Sequence, residues 1–227
     1  MLIHIPELLN PEQVVAMRGH LSGGEWADGG VTAGFQSGRV KDNLQIGSDS
    51  ALGRELGLVV IRALETSNAF ISAALPRHVF PPLFNRYDAG MGFGTHIDNA
   101  VRQVPGTGQR MRTDLSATLF LSDPETYDGG ELVIEDTYGS HAVKPAAGDM
   151  VLYPARSLHR VEPITRGSRV AAFFWVQSMV KAGEHREMLY DLDQSIQALS
   201  MTAAPNDPAI IRLSALYHNL LREWGEV

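Results

Sequence analysis

His96 and Asp98 stand one residue apart in Gly94-Thr95-His96-Ile97-Asp98. On extended backbone, side chains at i and i+2 point to the same face. This segment can therefore offer an imidazole and a carboxylate to one ion. A third candidate ligand is His159, in Tyr153-Pro154-Ala155-Arg156-Ser157-Leu158-His159-Arg160-Val161, read as a turn between two strands. Two histidines and one carboxylate leave three positions of an octahedral ion free, the arrangement of non-haem iron(II) oxygenases. Ten residues further on, Arg169 opens the most apolar strand of the chain. An arginine entering a core strand is costly unless its charge is paired. Period-two alternation puts Arg169, Ala171, Phe173 and Trp175 on one face, and Val170, Ala172, Phe174 and Val176 on the other. The first face, turned inward, would set Arg169 in a pocket beside Trp175.

2-Oxoglutarate can chelate such an ion through its C1 carboxylate and ketone. Its C5 carboxylate then calls for a planar bidentate cation, which is arginine's strength. O2 would be the third reactant, and oxidative decarboxylation to succinate would drive hydroxylation of a substrate. Metal and cosubstrate carry that chemistry; the protein positions and shields them. Two other readings stay open. A zinc hydrolase could use the same three ligands and a bound water, with a general base nearby. A non-catalytic jelly-roll binding module would need no metal. Neither gives Arg169 a role, and this favours the oxygenase.

The elements that must position these residues follow from local patterns. Asn10-Pro11-Glu12-Gln13 reads as a capped helix start, continued by Val14, Val15, Met17 and Leu21. A second helix is expected from about Ser50, with Leu52, Leu56, Val59, Val60, Ala63 and Leu64 at helical spacing and Pro76 ending the region. Short β-prone runs follow: 79–87, 115–121, 131–135, 141–143, 150–153 and 170–177. Asp128-Gly129-Gly130 and Tyr138-Gly139-Ser140 read as tight turns. Strands at this spacing suggest a sandwich or jelly roll. Two apolar stripes close the chain: Met188, Leu192, Ile196 and Leu199, then Ile210, Leu213, Tyr217, Leu220 and Trp224. They read as an antiparallel helix pair, a packing or dimerising appendage. A DNA-reading helix-turn-helix is the sharper alternative, but the pair is not basic. The expected fold is mainly β with flanking helices, a double-stranded β-helix (jelly roll) core plus a C-terminal helix pair. The expected division is a support region at 1–77, the catalytic core at 78–178 and a helical appendage at 179–227.

Composition narrows the field. The chain has 227 residues, 44% of them hydrophobic, which suits one main folded domain. A net charge of −7 argues against a general nucleic-acid binder. There are no cysteines, so disulfides, thiolate zinc sites, iron–sulfur clusters and cysteine nucleophiles are excluded. The first residues lack a basic stretch followed by an apolar one, so no signal peptide is expected. The longest apolar run, Val170 to Val176, is too short to span a bilayer. A soluble cytoplasmic enzyme with no membrane or nucleic-acid partner is the expectation.

The run Phe84-Asn85-Arg86-Tyr87, His96-Ile97-Asp98, Asp128-Gly129-Gly130-Glu131-Leu132, Gly148-Asp149, His159-Arg160-Val161 and Arg169 resembles the prolyl/lysyl hydroxylase class of 2-oxoglutarate dioxygenases. More narrowly it resembles the bacterial PKHD-type hydroxylases. The resemblance covers roughly residues 78–178 by motif. It implies iron(II), 2-oxoglutarate as cosubstrate, and L-ascorbate as the reductant that rescues oxidised iron. It implies that Tyr87 hydrogen-bonds the cosubstrate, that the substrate is a small molecule or peptide, and that the activity is linked to iron uptake. A homodimer through the C-terminal helices is a further expectation.

Other residues carry less. His141 could be a fourth ligand or a base, but reads better as a structural histidine. His4, His20, His78, His185 and His218 are scattered and read as solvated or capping. Gly90-Met91-Gly92-Phe93-Gly94 is no phosphate loop, because no helix follows it. Arg102, Arg110 and Arg112 flank a Pro105-Gly106-Thr107-Gly108 loop that reads either as a positively charged lid or as a solvated loop.

Overall fold

The computed structural model describes residues 1–32 and 34–226, the side chain of Val31 excepted. In chain order the first elements are β1 (Ile3–Ile5), α1 (Pro11–Ser22), β2 (Ala27–Asp28), β3 (Lys41–Asp42), β4 (Leu44–Ile46), α2 (Ala51–Thr66) and α3 (Asn68–Ala74). Then come β5 (Pro76–Val79), β6 (Leu83–Asp88), β7 (Gly92–His96), β8 (Val101–Gln103), β9 (Arg110–Arg112) and β10 (Leu115–Phe120). The last are β11 (Leu132–Asp136), β12 (Gly139–Val143), β13 (Met150–Pro154), β14 (His159–Val161), β15 (Ser168–Ser178), α4 (Gly183–Ser200) and α5 (Pro208–Trp224).

Two antiparallel sheets face each other, and the jelly-roll expectation is borne out. The larger runs β1-β13-β10-β15-β6-β4-β2, with β5 also paired to β15. The smaller runs β12-β11-β14-β7-β3. Tyr87, Phe120, Val151 and Tyr153 of the larger sheet pack against Leu132, Ile134 and Val161 of the smaller one. The helices cover the outer face of the larger sheet. Val14, Met17 and Leu21 of α1, Leu56, Val60 and Leu64 of α2, and Phe70 of α3 meet Val170, Ala172, Phe174 and Val176 of β15. The other face of β15 turns Arg169, Phe173 and Trp175 into the space between the sheets. Strict alternation along eleven residues therefore divides β15 between core and cavity.

Capping chemistry sets the helix starts. Asn10 Oδ1 accepts from Gln13 N at 2.9 Å, and Gln13 Oε1 accepts from Asn10 N at 2.9 Å. Ser50 Oγ accepts from Gly53 N at 2.9 Å. The second helical region does not run unbroken to Pro76. It stops at Thr66, and Ser67 caps α3. α2 and α3 are bent by 83° at that break, and among the described residues no single helix is long and apolar enough to cross a membrane.

Three further expectations change. The run 79–87 is two strands, because Pro81 and Pro82 cannot donate to a ladder. His159 begins β14 rather than lying in a turn. The 102–112 segment is a β8–β9 hairpin, anchored beneath by Met111 and Val104 against Phe80, Leu83 and Trp175. The C-terminal pair forms as expected: Tyr217, Leu220, Leu221 and Trp224 of α5 close over Leu75, Val180 and Leu189. On α4, however, the buried positions are Arg186 and Leu189, while Met188 and Leu199 are exposed.

Candidate active site

His96 ends β7 and His159 begins β14, and the two are direct partners across that antiparallel pair. Their rings lie 4.2 Å apart, centroid to centroid. His96 Nδ1 lies 2.9 Å from Gly94 O, and His159 Nδ1 lies 3.0 Å from Ser157 O. A carbonyl can only accept, so each Nδ1 carries a hydrogen, which leaves Nε2 as the nitrogen that can coordinate an ion. Asp98 Oδ2 lies 3.7 Å from His159 Nε2. Ser116 Oγ donates to the same oxygen at 2.6 Å. One ligand atom from each of His96, Asp98 and His159 falls within 4.8 Å of the other two, a set that can hold a metal ion. Burial and the nearby His159 push His96 down to about 4, so it stays neutral and ready to coordinate.

Arg169 shares this cavity. It is 1% exposed, and among the described residues its Nε and Nη1 have no hydrogen-bond partner. Its guanidinium sits 4.8 Å from the Phe120 ring and 5.5 Å from the Tyr87 ring. Tyr87 is its direct partner across β6 and β15. Burial pushes the Tyr87 phenol up to about 12, partly opposed by Arg169, so it remains a hydrogen-bond donor. Gly130 makes room for the arginine. Its φ is +70°, and a Cβ there would lie 3.2 Å from Arg169 Cδ and 2.4 Å from Ile164 Cδ1. The Asp128-Gly129-Gly130 segment, expected as a tight turn, is instead a bend beside an isolated bridge from Asp128 to Arg166, and it shapes the wall behind Arg169.

A buried guanidinium with unpaired donors costs several kcal/mol unless an anion completes it. The planar carboxylate at one end of a dicarboxylate matches those donors in geometry and in charge. The donor set of two imidazole nitrogens and one carboxylate fits iron(II). The residues present therefore suit both groups.

Residues 82–177 match the 2OG-Fe(II) oxygenase superfamily, and residues 184–226 match the PKHD-type hydroxylase C-terminal domain. A PKHD-type hydroxylase of Methylobacterium nodulans is 59% identical over 227 residues, covering 100% of both chains. The chain belongs to the PKHD-type hydroxylases. A second member, from Paracoccus denitrificans, is 58% identical over 226 residues and again covers 100% of both chains. Among solved structures, the fold is similar to a prolyl hydroxylase from Trichoplax adhaerens in complex with a hypoxia inducible factor peptide fragment. That likeness has a TM-score of 0.57 at 16% identity and covers 83% of this chain and 86% of that one. As a PKHD-type hydroxylase, the protein is a dioxygenase that uses iron(II) and 2-oxoglutarate.

Several residues of the cavity escaped the sequence. Lys41 of β3, Gln45 of β4, Asn85 of β6, Ser116 and Thr118 of β10 and Tyr153 of β13 all line it. Period-two alternation within 115–121 could have found Ser116 and Thr118, which share a face of β10. Arg102 was noted for its charge and proves to enter the cavity, stacked 3.4 Å above Trp175. Arg112 points elsewhere, to Asp114 at 2.7 Å and Glu226 at 3.2 Å. His141 is not a ligand. It lies on β12, half exposed, with Nε2 2.9 Å from Asp136 Oδ2. His4 pairs with Asp149 at 2.7 Å.

Proposed function

We propose that His96, Asp98 and His159 hold the iron(II), and that Arg169 and Tyr87 receive the distal carboxylate of 2-oxoglutarate. The observation that carries this is the unpaired, fully buried Arg169 facing the same cavity as the three ligands. When bound, iron and 2-oxoglutarate couple decarboxylation of the cosubstrate by O2 to hydroxylation of a substrate, with succinate and CO2 released. The chain's own part is positional. Gly94 and Ser157 carbonyls fix the two imidazole rings, Ser116 holds one oxygen of Asp98, and Arg169 with Tyr87 supplies a cationic, donating end wall. The Phe120 and Tyr87 rings cover the guanidinium. A zinc hydrolase would leave Arg169 buried without purpose, and a non-catalytic module would leave the ligand triad so.

The substrate is a small molecule or peptide. Ascorbate as reductant and a link to iron homeostasis belong to this proposal through the family resemblance. The working division is a support region at 1–77, a catalytic core at 78–178 and an appendage at 179–227; the two family matches, at 82–177 and 184–226, support it. A homodimer through α4 and α5 is part of the same reading, supported by exposed Met188, Ile211 and Leu216. The test is a screen of candidate substrates with iron(II), ascorbate and 2-oxoglutarate. A true substrate gives succinate in step with a mass gain of one oxygen atom. Succinate formation that no longer needs Arg169 would contradict the assignment.

A further inference from the structure

The ligand triad and Arg169 occupy only part of the cavity. Lys41 and Arg102 line the remainder, together with Phe93, Phe173 and Trp175. Lys41 Nζ lies 5.3 Å from the Phe93 ring, which itself stacks 3.6 Å from His96. The same Nζ lies 5.8 Å from Phe173, and Phe173 meets Trp175 edge-on at 5.6 Å, under the Arg102 guanidinium. Both cations therefore border the metal ligands along one aromatic wall.

Neither cation has a directly paired carboxylate among the described residues, although Asp98 acts on both and Asp28 on Lys41 from a distance. Among the described residues, neither Lys41 nor Arg102 takes part in a salt bridge. Lys41 Nζ donates to the neutral Thr32 Oγ1 at 2.9 Å, and Arg102 Nε is buried without a partner. Iron(II), Asp98, Arg169 and the dianion 2-oxoglutarate together carry no net charge. Two positive charges in a partly buried cavity are then left over, and such a surplus is costly without a counter-anion. Beside them Gln45 and Asn85 are direct partners across β4 and β6. Both are buried, and Gln45 Nε2 and Asn85 Oδ1 are unpaired, a donor and an acceptor facing the same space.

We infer that the substrate carries an oxyanion, carboxylate or phosphate, which Lys41 and Arg102 bind along the Phe173–Trp175 wall while Gln45 and Asn85 meet a neutral polar group. The inference rests on the oxygenase reading of the site and names its substrate class. Arg102 is thereby a specificity residue delivered by the β8–β9 hairpin.

Calorimetry on the full chain loaded with zinc(II) and saturating 2-oxoglutarate tests this. Zinc does not change oxidation state, so nothing turns over. The probes are benzoate, phenyl phosphate and the neutral benzamide. At least one oxyanion probe should bind about tenfold or more tighter than benzamide, the scale of one retained charge contact. The tighter of the two anions identifies the group as carboxylate or phosphate. Lys41→Met and Arg102→Met should each erase the preference, with 2-oxoglutarate affinity kept within about twofold, a change of well under 1 kcal/mol. The charge-keeping Lys41→Arg and Arg102→Lys should retain most of it. If neither anion outbinds benzamide, or the preference survives both methionine variants, or the charge-keeping variants lose it equally, the inference is overturned. The oxygenase reading then stands, provided the parent binds 2-oxoglutarate. A parent that does not bind 2-oxoglutarate overturns that reading and this inference together.

Discussion

His96 and His159 face each other in register across β7 and β14, and each gives its Nδ1 hydrogen to the carbonyl two residues before it. The two Nε2 atoms are thus aimed before any ion arrives. A preset site loses little ordering entropy on binding, and such supporting bonds fix the tautomer as well as the ring. The strand pair is what makes this possible, since register brings two residues sixty-three positions apart to the same rung.

Metal binding should fail when one ligand is removed, and the fold should not. His96→Ala and Asp98→Ala each take one donor from a three-donor set, while the apolar layer under the helices is separate from the site. Iron titration with circular dichroism checks both halves. Stoichiometric binding undiminished in both variants would show that these residues are not the ligands.

Acid should weaken the metal-free protein through His96. Its folded value is about 4, against an ordinary 6.5, because burial and His159 disfavour the charged ring. Between those values the unfolded chain binds more protons than the folded one. Stability from this group is therefore present above pH 6.5 and lost as pH falls toward 4. In His96→Gln the difference between pH 7 and pH 4.5 should be smaller than in the parent. Chemical denaturation of both proteins at the two pH values measures it, and equal differences would refute the assignment.

The C-terminal pair should stabilise the whole chain through Leu189. That side chain is fully buried against Leu75 and Val180, and Glu226 N donates to Met179 O at 2.7 Å nearby. Leu189→Ala should cost about 2–5 kcal/mol by loss of contact and creation of a cavity. Urea denaturation gives the value. A loss below about 0.5 kcal/mol, the level of an ordinary surface change, would mean the pair is not packed in solution as it is in the structure.

How much of this was legible depended on element length. β15 is eleven residues long, so its alternation separated Arg169, Phe173 and Trp175 from Val170, Ala172, Phe174 and Val176, and the packing of the helices decided which face lines the cavity. His96 and Asp98 were legible because two residues of spacing suffice to place them on one face. Lys41, Gln45 and Arg102 were not legible as cavity residues. They sit on strands of two or three residues, too short to show any period. Their positions come from pairing with β7 and β6 and from the hairpin, which are contacts distant in sequence. The face of α4 was misjudged because Arg186 reads as polar. Its guanidinium is nevertheless buried, donating to Val180 O at 2.7 Å and Lys181 O at 3.0 Å, so the charge is solvated by backbone. Alternation along β10 could have put Ser116 on the cavity face, but its bond to Asp98 Oδ2 joins residues eighteen positions apart in sequence and has no local signal.

The central claim is that Arg169 is the cosubstrate clamp, and titration of 2-oxoglutarate into the zinc-loaded protein tests it most directly. Truncating one partner of a buried charge pair costs about 2–5 kcal/mol, roughly thirty-fold to several thousand-fold in affinity. Arg169→Ala should show a loss in that range with zinc affinity nearly unchanged, and Arg169→Lys should recover only part, because an ammonium cannot supply a planar fork. If Arg169→Ala binds 2-oxoglutarate as tightly as the parent while losing only thermal stability, Arg169 is a structural residue and the account of this site is wrong.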